Sequence, residues 1–188
     1  MLIVILEDKK IIFIHIPRTS GSSIETFFGV HFDAVSVYQK HLRASSIKKQ
    51  VKSEWDSYFK FSIVRNPFDR VVSMYHMQCF SSININSGKS LRFFIENYQP
   101  AHHEEGSTCS DYIDEKIDFI GRFEFRDETI KLLSEKTGIN INNNFKFDPD
   151  KTPENRQHYS TYFDKRSADL VRSKYQDDFL RFGYSMDL

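Results

Sequence analysis

The sequence predicts an α/β domain with a mainly parallel sheet. A strand pattern followed by a turn and a helix pattern occurs twice in the first half of the chain, at residues 10–29 and 58–75. Parallel strands need a long crossover between them, and a helix is the usual one. Because 188 residues suffice for one sizeable core, we expect a single domain over residues 1–188.

The first of these units contains a loop suited to an anion. An isoleucine-rich run at 10–16 predicts a buried strand, and 22–29 predicts a helix that is capped by Ser or Thr and ends at Gly29. Backbone N–H groups at a helix start have no intrahelical partner and lie at the positive end of the helix dipole. The intervening loop therefore suits a phosphate or sulfate. It lacks the GxxxxGK[ST] spacing of nucleoside triphosphate hydrolases, because Ser22 and Ser23 follow Gly21 without a lysine.

The second unit places a cation at the end of a strand. Helical spacing at 45–57 precedes a strand at 58–64, and Asn66 and Pro67 are expected to start the next helix. Arg65 ends the strand and Ser73 follows on the helix, at the sheet edge where parallel α/β folds bind ligands. The Arg65 guanidinium suits a phosphate. From these residues alone, a structural ion pair between Arg65 and Asp69 is an equally good interpretation.

The rest of the chain predicts further elements of the same class. Residues 81–110 are polar and uneven around a short helix at 91–98, which is typical of a lid or an acceptor-binding insertion. A third strand is expected within 116–123, then a helix from Asp127 to Gly138, and a final helix over 164–182. Adjacent acidic and imidazole side chains at 102–105 lack metal-ligand spacing, so we assign no metal.

Composition excludes several classes of protein. Lys and Arg together number 26, as do Asp and Glu, so no net charge favours nucleic acid or an acidic membrane. The apolar segment at the start of the chain is too short for a signal-peptide core or a membrane span. We therefore expect a native start and no export signal. Cys79 and Cys109 have no CxxC or zinc-ligand spacing, which favours a reduced cytoplasmic protein. The oligomeric state is not set by the sequence.

In several segments the chain resembles a known family. HIPRTSGSS at 15–23 is similar to the HIPKTGGTS loop of the carbohydrate-type sulfotransferases that use 3'-phosphoadenosine 5'-phosphosulfate (PAPS). FSIVRNPFDRVVSMY at 61–75 is similar to the family's 3'-phosphate segment; DFIGRFE at 118–124 and, more loosely, the closing 158–184 extend the resemblance. It implies a P-loop-like three-layer fold, with helices flanking a mainly parallel sheet. It also implies sulfuryl transfer from PAPS to an acceptor hydroxyl, with a saccharide favoured and adenosine 3',5'-bisphosphate (PAP) as product.

The resemblance also assigns roles to residues. The 5'-phosphosulfate would be held by Arg18, Thr19, Ser20, Gly21, Ser22 and Ser23, and the 3'-phosphate by Arg65 and Ser73. Arg18 replaces the family's usual lysine, which helps to stabilise the leaving group; arginine keeps the charge but spreads it over a plane. A general base must accept the hydroxyl proton, and His41 is the candidate, with His31 as the backup and His15 as a structural residue.

Other predictions stay open beside this one. A late segment with Lys146, Lys151, Arg156 and Tyr159 is expected to be a solvated loop at the rim, and closure of this loop on the nucleotide or the acceptor is the alternative. One alternative function is a kinase of related fold, although the lysine after the loop glycine and a metal-binding Asp are not evident. Another is a catalytically weakened nucleotide-binding module, favoured if Arg18 cannot replace lysine or if His41 points away from the loop.

Overall fold

A computed structural model of the chain describes residues 5–29, 40–80, 90–99, 106–140 and 156–188. The chain divides into two compact units, Met1–Val64 with Pro100–Asp148, and Arg65–Gln99 with Pro149–Leu188. The first unit contains the sheet, and the described part of the second consists of helices and connecting turns. The single domain over residues 1–188 stays a prediction.

The described residues of the first unit form a four-stranded sheet in the order β1-β2-β3-β4. These strands are β1 (Ile5–Leu6), β2 (Ile11–Ile14), β3 (Phe59–Val64) and β4 (Phe119–Arg122). Strands β2, β3 and β4 are mutually parallel, with Ile14 opposite Ser62 and Val64 opposite Arg122. Strand β1 pairs antiparallel with β2 at the edge. The predicted α/β class with a mainly parallel sheet is therefore confirmed.

The helices complete both units. In chain order they are α1 (Gly21–Phe27), α2 (Ala44–Val51), α3 (Pro67–Phe80), α4 (Leu91–Asn97), α5 (Cys109–Tyr112), α6 (Arg126–Thr137), α7 (Lys165–Lys174) and α8 (Gln176–Phe182). Short 3₁₀ turns at Lys52–Ser57, Phe123–Phe125 and Tyr159–Tyr162 lie before β3, α6 and α7. Within the described ranges, none of the helices combines the length and hydropathy that a bilayer span requires.

Both faces of the central strands are buried, as in parallel sheets generally. One face, with Phe13, Phe61 and Ile63, packs against α1 and α6 through Ile24, Phe27, Phe28, Ile130 and Leu133. On the other face Ile12, Ile14, Ser62 and Val64 are almost completely inaccessible. Strand β2 is a continuous apolar run because neither of its sides faces water.

The second unit packs around α3. Asn66 caps this helix as predicted, because its Oδ1 accepts a hydrogen bond from the Phe68 N–H at 2.9 Å. The core of the unit contains Phe68, Val71, Val72, Met74, Leu91, Phe94, Ile95, Ala168, Val171, Tyr175 and Phe179. Arg65, the residue after β3 in the chain, begins this unit.

Several element boundaries differ from the sequence prediction, most clearly in three of the helices. Helix α6 begins at Arg126, so Asp127 is an interior residue and Phe125 takes the N-cap position, while Gly138 ends the helix with φ 70° as expected. The helix predicted over 45–57 changes to a 3₁₀ turn after Val51. The final predicted helix is two helices, since Tyr175 at φ −113° and ψ 22° interrupts the α-helical backbone.

Candidate functional site

The loop between β2 and α1 has an unusual backbone. Arg18 and Ser20 have φ angles of 68° and 73°, in the left-handed region that non-glycine residues rarely adopt. Thr19 between them is fully buried and donates its hydroxyl to the Ile16 carbonyl at 2.9 Å. Backbone N–H groups in such turns and at helix starts form anion-binding concavities. An anion site in this loop stays a prediction, and the turn and helix start are the kinds of backbone that can form one.

The loop side chains divide into two groups. Arg18 and Ser20 are half-buried and Ser22 is exposed, whereas Thr19 and Ser23 are buried. The Thr19 hydroxyl is used within the loop, in its hydrogen bond to the Ile16 carbonyl. Ser20 takes the N-cap position of α1 but makes no side-chain capping hydrogen bond, so the predicted Ser or Thr cap is wrong in this respect.

Gly21 makes room for a buried histidine. An ideal Cβ atom on Gly21 would lie 1.5 Å from Nε2 of His15. The His15 ring stacks on Phe13 with ring centroids 5.1 Å apart, and its Nδ1 lies 3.2 Å from Oε1 of Glu25. Burial lowers the pKa of His15; Glu25 raises it and Lys40 lowers it, with the net shift downward. His15 is thus a neutral structural residue at pH 7, as predicted.

His41 lies beside the first residue of the loop segment. Its Nδ1 is 3.0 Å from the backbone carbonyl oxygen of His15, and the two rings meet edge to face at 4.6 Å. A carbonyl oxygen can only accept a hydrogen bond, so Nδ1 of His41 must carry the proton. In the neutral ring Nε2 then bears the lone pair. His41 accordingly has the tautomer that a general base acting through Nε2 requires.

Glu25 joins this cluster from the first helix. Its carboxylate oxygen Oε1 lies 2.6 Å from Nζ of Lys40 and 3.2 Å from Nδ1 of His15, and its side chain is only 9% exposed. Burial raises the pKa of this carboxyl, but its close contacts with His15 and Lys40 lower it more. Glu25 is therefore ionised at neutral pH.

The second unit contains the other predicted anion residues. Arg65 is 2% exposed, and its Nε donates to Oδ2 of Asp69 at 2.8 Å. Oδ1 of the same carboxylate contacts Nη2 of Arg156, so Asp69 bridges two guanidinium groups. Ser73, one helical turn beyond Asp69, is also buried. The ion pair considered for Arg65 is therefore present.

Comparison with known proteins identifies the family. The model of the Sulfotransferase family matches residues 2–114, which contain the anion loop, His41 and Arg65. The chain belongs to the sulfotransferase family. The predicted class of enzyme is confirmed by this match. No curated protein gives a significant match.

A solved sulfotransferase has the same fold. The crystal structure of mouse sulfotransferase SULT7A1 complexed with PAP aligns with a TM-score of 0.64 at 14% sequence identity. The alignment covers 94% of this chain and 86% of the mouse chain. The predicted P-loop-like fold is therefore confirmed for this sulfotransferase.

Several other residues named in the sequence analysis either have an environment different from the predicted one or lie outside the described part of the sulfotransferase. Arg156 contacts Asp69 with a side chain only 9% exposed, and Tyr159 stacks parallel to Phe68, so the expectation of a solvated loop is wrong for both. The backup base His31, together with His102, His103, Lys146 and Lys151, lies outside the described residues. Among the residues that are described, no group of three or more His, Cys, Asp or Glu side chains is arranged to hold a metal ion.

Two residues of the loop cluster were missed by sequence reasoning. Glu25 contacts His15, and Lys40 contacts Glu25, although neither residue belongs to the motif at 15–23. For Glu25 a signal exists, because a residue four positions after Gly21 lies on the same face of the helix. Lys40 has no comparable signal, since only the tertiary fold brings it to α1.

Proposed function

We propose that this sulfotransferase transfers a sulfuryl group from PAPS to an acceptor hydroxyl, with a saccharide as the favoured acceptor class. The observation that carries the proposal is the 3.0 Å contact between Nδ1 of His41 and the carbonyl of His15, where the anion loop starts. It associates a correctly protonated base with the loop expected to hold the phosphosulfate. The family match and the PAP-bound mouse neighbour support PAPS as co-substrate.

The proposed roles follow from chemistry. When bound, PAPS supplies an activated sulfuryl group whose bridging S–O bond breaks as PAP leaves. Nε2 of His41 accepts the acceptor hydroxyl proton while the new S–O bond forms. The Arg18 guanidinium and the N–H groups of the loop and of the first α1 turn balance the negative charge that develops on the leaving phosphate. These backbone groups belong to Thr19, Ser20, Gly21, Ser22 and Ser23.

The 3'-phosphate is assigned to Arg65 and Ser73. Both side chains are buried in the second unit, and a guanidinium with a hydroxyl is a suitable donor set for phosphate. Asp69 accepts a hydrogen bond from Nε of Arg65 and so holds this side chain in place. The planar guanidinium group has N–H donors besides Nε. A cytoplasmic location, expected from the cysteine pattern, is part of the same proposal.

Ligand-dependent thermal unfolding tests the nucleotide assignment. PAP at about 100 times its dissociation constant should stabilise the protein by roughly 2.7 kcal/mol, which is a rise in Tm on the order of 5 to 10 °C at this chain length. 5'-AMP, which lacks the 3'-phosphate, should give a clearly smaller shift, and Ser73→Ala should reduce the shift with PAP but not with 5'-AMP. A shift only with ATP and magnesium would favour the kinase alternative instead.

Transfer assays test the catalytic assignment. His41→Ala should retain the PAP-induced Tm shift but lose about 100-fold or more in turnover over a panel of saccharide acceptors. Arg18→Lys should retain turnover, since it restores the residue usual in the family. Full turnover by His41→Ala would exclude His41 as the base, and PAP binding without turnover in the wild type and in Arg18→Lys would favour a nucleotide-binding module.

A further inference from the structure

Glu25 contacts two residues that are each linked to His41, one through the chain and the other through a hydrogen bond. Lys40, which it meets at 2.6 Å, immediately precedes His41 in the chain. His15, which it meets at 3.2 Å, supplies the carbonyl oxygen that accepts the Nδ1 proton of His41. One buried carboxylate thus holds both the chain neighbour of His41 and the residue to which its ring is bonded.

The His15 ring is fixed from several directions. Phe13 stacks on one side at 5.1 Å, His41 meets it edge to face at 4.6 Å, and Gly21 leaves space for Nε2. The Glu25 carboxylate takes the remaining polar edge at Nδ1. Because each of these contacts constrains the same ring, removing the carboxylate affects the residue against which His41 packs.

From this arrangement we infer that Glu25 is a positioning residue for His41: it anchors His15 and Lys40 around the base and balances the charge of Lys40. The inference rests on the proposed function, in which His41 accepts the acceptor proton. Glu25 acts through its neighbours, because its carboxylate contacts His15 and Lys40.

Charge gives the inference a measurable consequence. Among the described residues, the titratable group that contacts the His41 ring is linked to two charged groups: His15 meets the ring edge to face, and Glu25 joins His15 to Lys40, the residue before His41. Burial lowers the pKa of His15, so its ring is neutral, and the Glu25 carboxylate offsets the Lys40 ammonium. When His41 takes up a proton, a Glu25→Gln variant leaves that new positive charge beside Lys40 without the Glu25 carboxylate. Protonation of His41 becomes less favourable.

Histidine side-chain nitrogen NMR of the full chain tests this without an acceptor. The seven histidines are labelled with ¹⁵N, and the His41→Gln variant identifies the His41 signals. In Glu25→Gln we expect the titration midpoint of His41 to fall by about 1 pH unit, a tenfold loss of proton affinity. Glu128→Gln, the same substitution at an exposed position of the first unit, is the matched control and should leave it unchanged. An unchanged His41 midpoint in Glu25→Gln would overturn the inference.

A second variant keeps the test available if Glu25→Gln does not fold. Lys40→Met removes the positive charge while retaining the length of the side chain, so it should raise the His41 midpoint. The His41 midpoint of the double variant should lie between the midpoints of the two single variants, because Lys40→Met removes the ammonium group that the Glu25 carboxylate offsets in the wild type. A midpoint that falls in Lys40→Met would contradict the charge balance proposed here.

Turnover separates failure of this inference from failure of the proposed function. If His41 is the base, Glu25→Gln should lower kcat by about 10- to 100-fold with an unchanged PAP-induced Tm shift, and should have no further effect in His41→Ala. If His41→Ala keeps full turnover, the proposed function is wrong whatever the NMR result. If His41→Ala is inactive and Glu25→Gln matches the wild type in both measurements, only the role of Glu25 is wrong.

Discussion

The His15 ring occupies the space that a side chain on Gly21 would need, since a Cβ atom there would lie 1.5 Å from Nε2 of His15. The ring is stacked on Phe13 and cannot move away without breaking that contact. We expect Gly21→Ala to lower the free energy of unfolding by about 1–3 kcal/mol, as overpacking in a core does, measured by urea denaturation. In a His15→Ala background the overlap is absent, so the same substitution should cost less. Equal costs in the two backgrounds would argue against this steric explanation.

Acidification should destabilise the protein below about pH 6.5. Burial lowers the pKa of His15 from its ordinary value of 6.5, and burial followed by the charge of Arg156 does the same for His76. Such histidines take up protons on unfolding. The free energy of unfolding is therefore unaffected by them above their pKa in the unfolded chain, and it decreases as the pH falls from there towards their pKa in the folded protein. Each contributes at most about 1.4 kcal/mol per pH unit.

Urea denaturation at pH 7.5, 6.5 and 5.5 measures that dependence. His15→Gln removes one of these two histidines. The free energy of unfolding of this variant should therefore fall less steeply between pH 6.5 and 5.5 than that of the wild type. A slope equal to the wild type's would show that His15 does not change its proton affinity on folding.

The carboxylate shared by Arg65 and Arg156 should be important for stability. Asp69→Asn leaves two largely buried guanidinium groups next to each other without their common counter-ion, and we expect a loss of about 3 kcal/mol in urea denaturation. Asp169→Asn is the matched control, because the Asp169–Arg172 pair is much more exposed and should contribute less than about 1 kcal/mol. Similar losses for the two variants would mean that burial does not distinguish these pairs.

Ser20 carries a conformational cost at the anion loop. Its φ of 73° is unfavourable for a residue with a Cβ atom, and its side chain makes no capping bond, so Ser20→Gly should raise the free energy of unfolding by about 1 kcal/mol. The family loop HIPKTGGTS has glycine at this place. Ser46→Gly within α2 is the control and should lower stability by a similar amount. A loss of stability in Ser20→Gly would show that the hydroxyl contributes more than the strain costs.

The sequence was most informative where structure depends on neighbours in the chain. The apolar run of β2, the loop after it and the Asn66 cap of α3 were predicted because their signals are local. Contacts between distant residues were not predictable in this way. The Arg156–Asp69 pair joins positions 87 residues apart, and a charged residue in a polar segment gives no sign of such a partner.

The cluster around His41 shows the same limit within the site. The resemblance identified His41 as a candidate, but its tautomer depends on a carbonyl 26 residues earlier in the chain. Glu25 and Lys40 are ordinary surface residue types by composition, and only tertiary packing makes them neighbours of His15. Likewise, the break at Tyr175 follows an uninterrupted helical pattern in the sequence, so its position is set by packing in the core of the second unit.

The partner of Nδ1 in His41 is a peptide carbonyl, a group that every amino acid supplies. Substitution at position 15 changes the ring beneath His41, but the oxygen remains as long as the backbone keeps its path. The tautomer of the proposed base is therefore insensitive to point mutation at its hydrogen-bonding partner. An inserted or deleted residue at the end of β2 would displace that oxygen, so segment length is expected to be restricted there, whereas residue identity at position 15 matters through the ring contacts and not through this hydrogen bond.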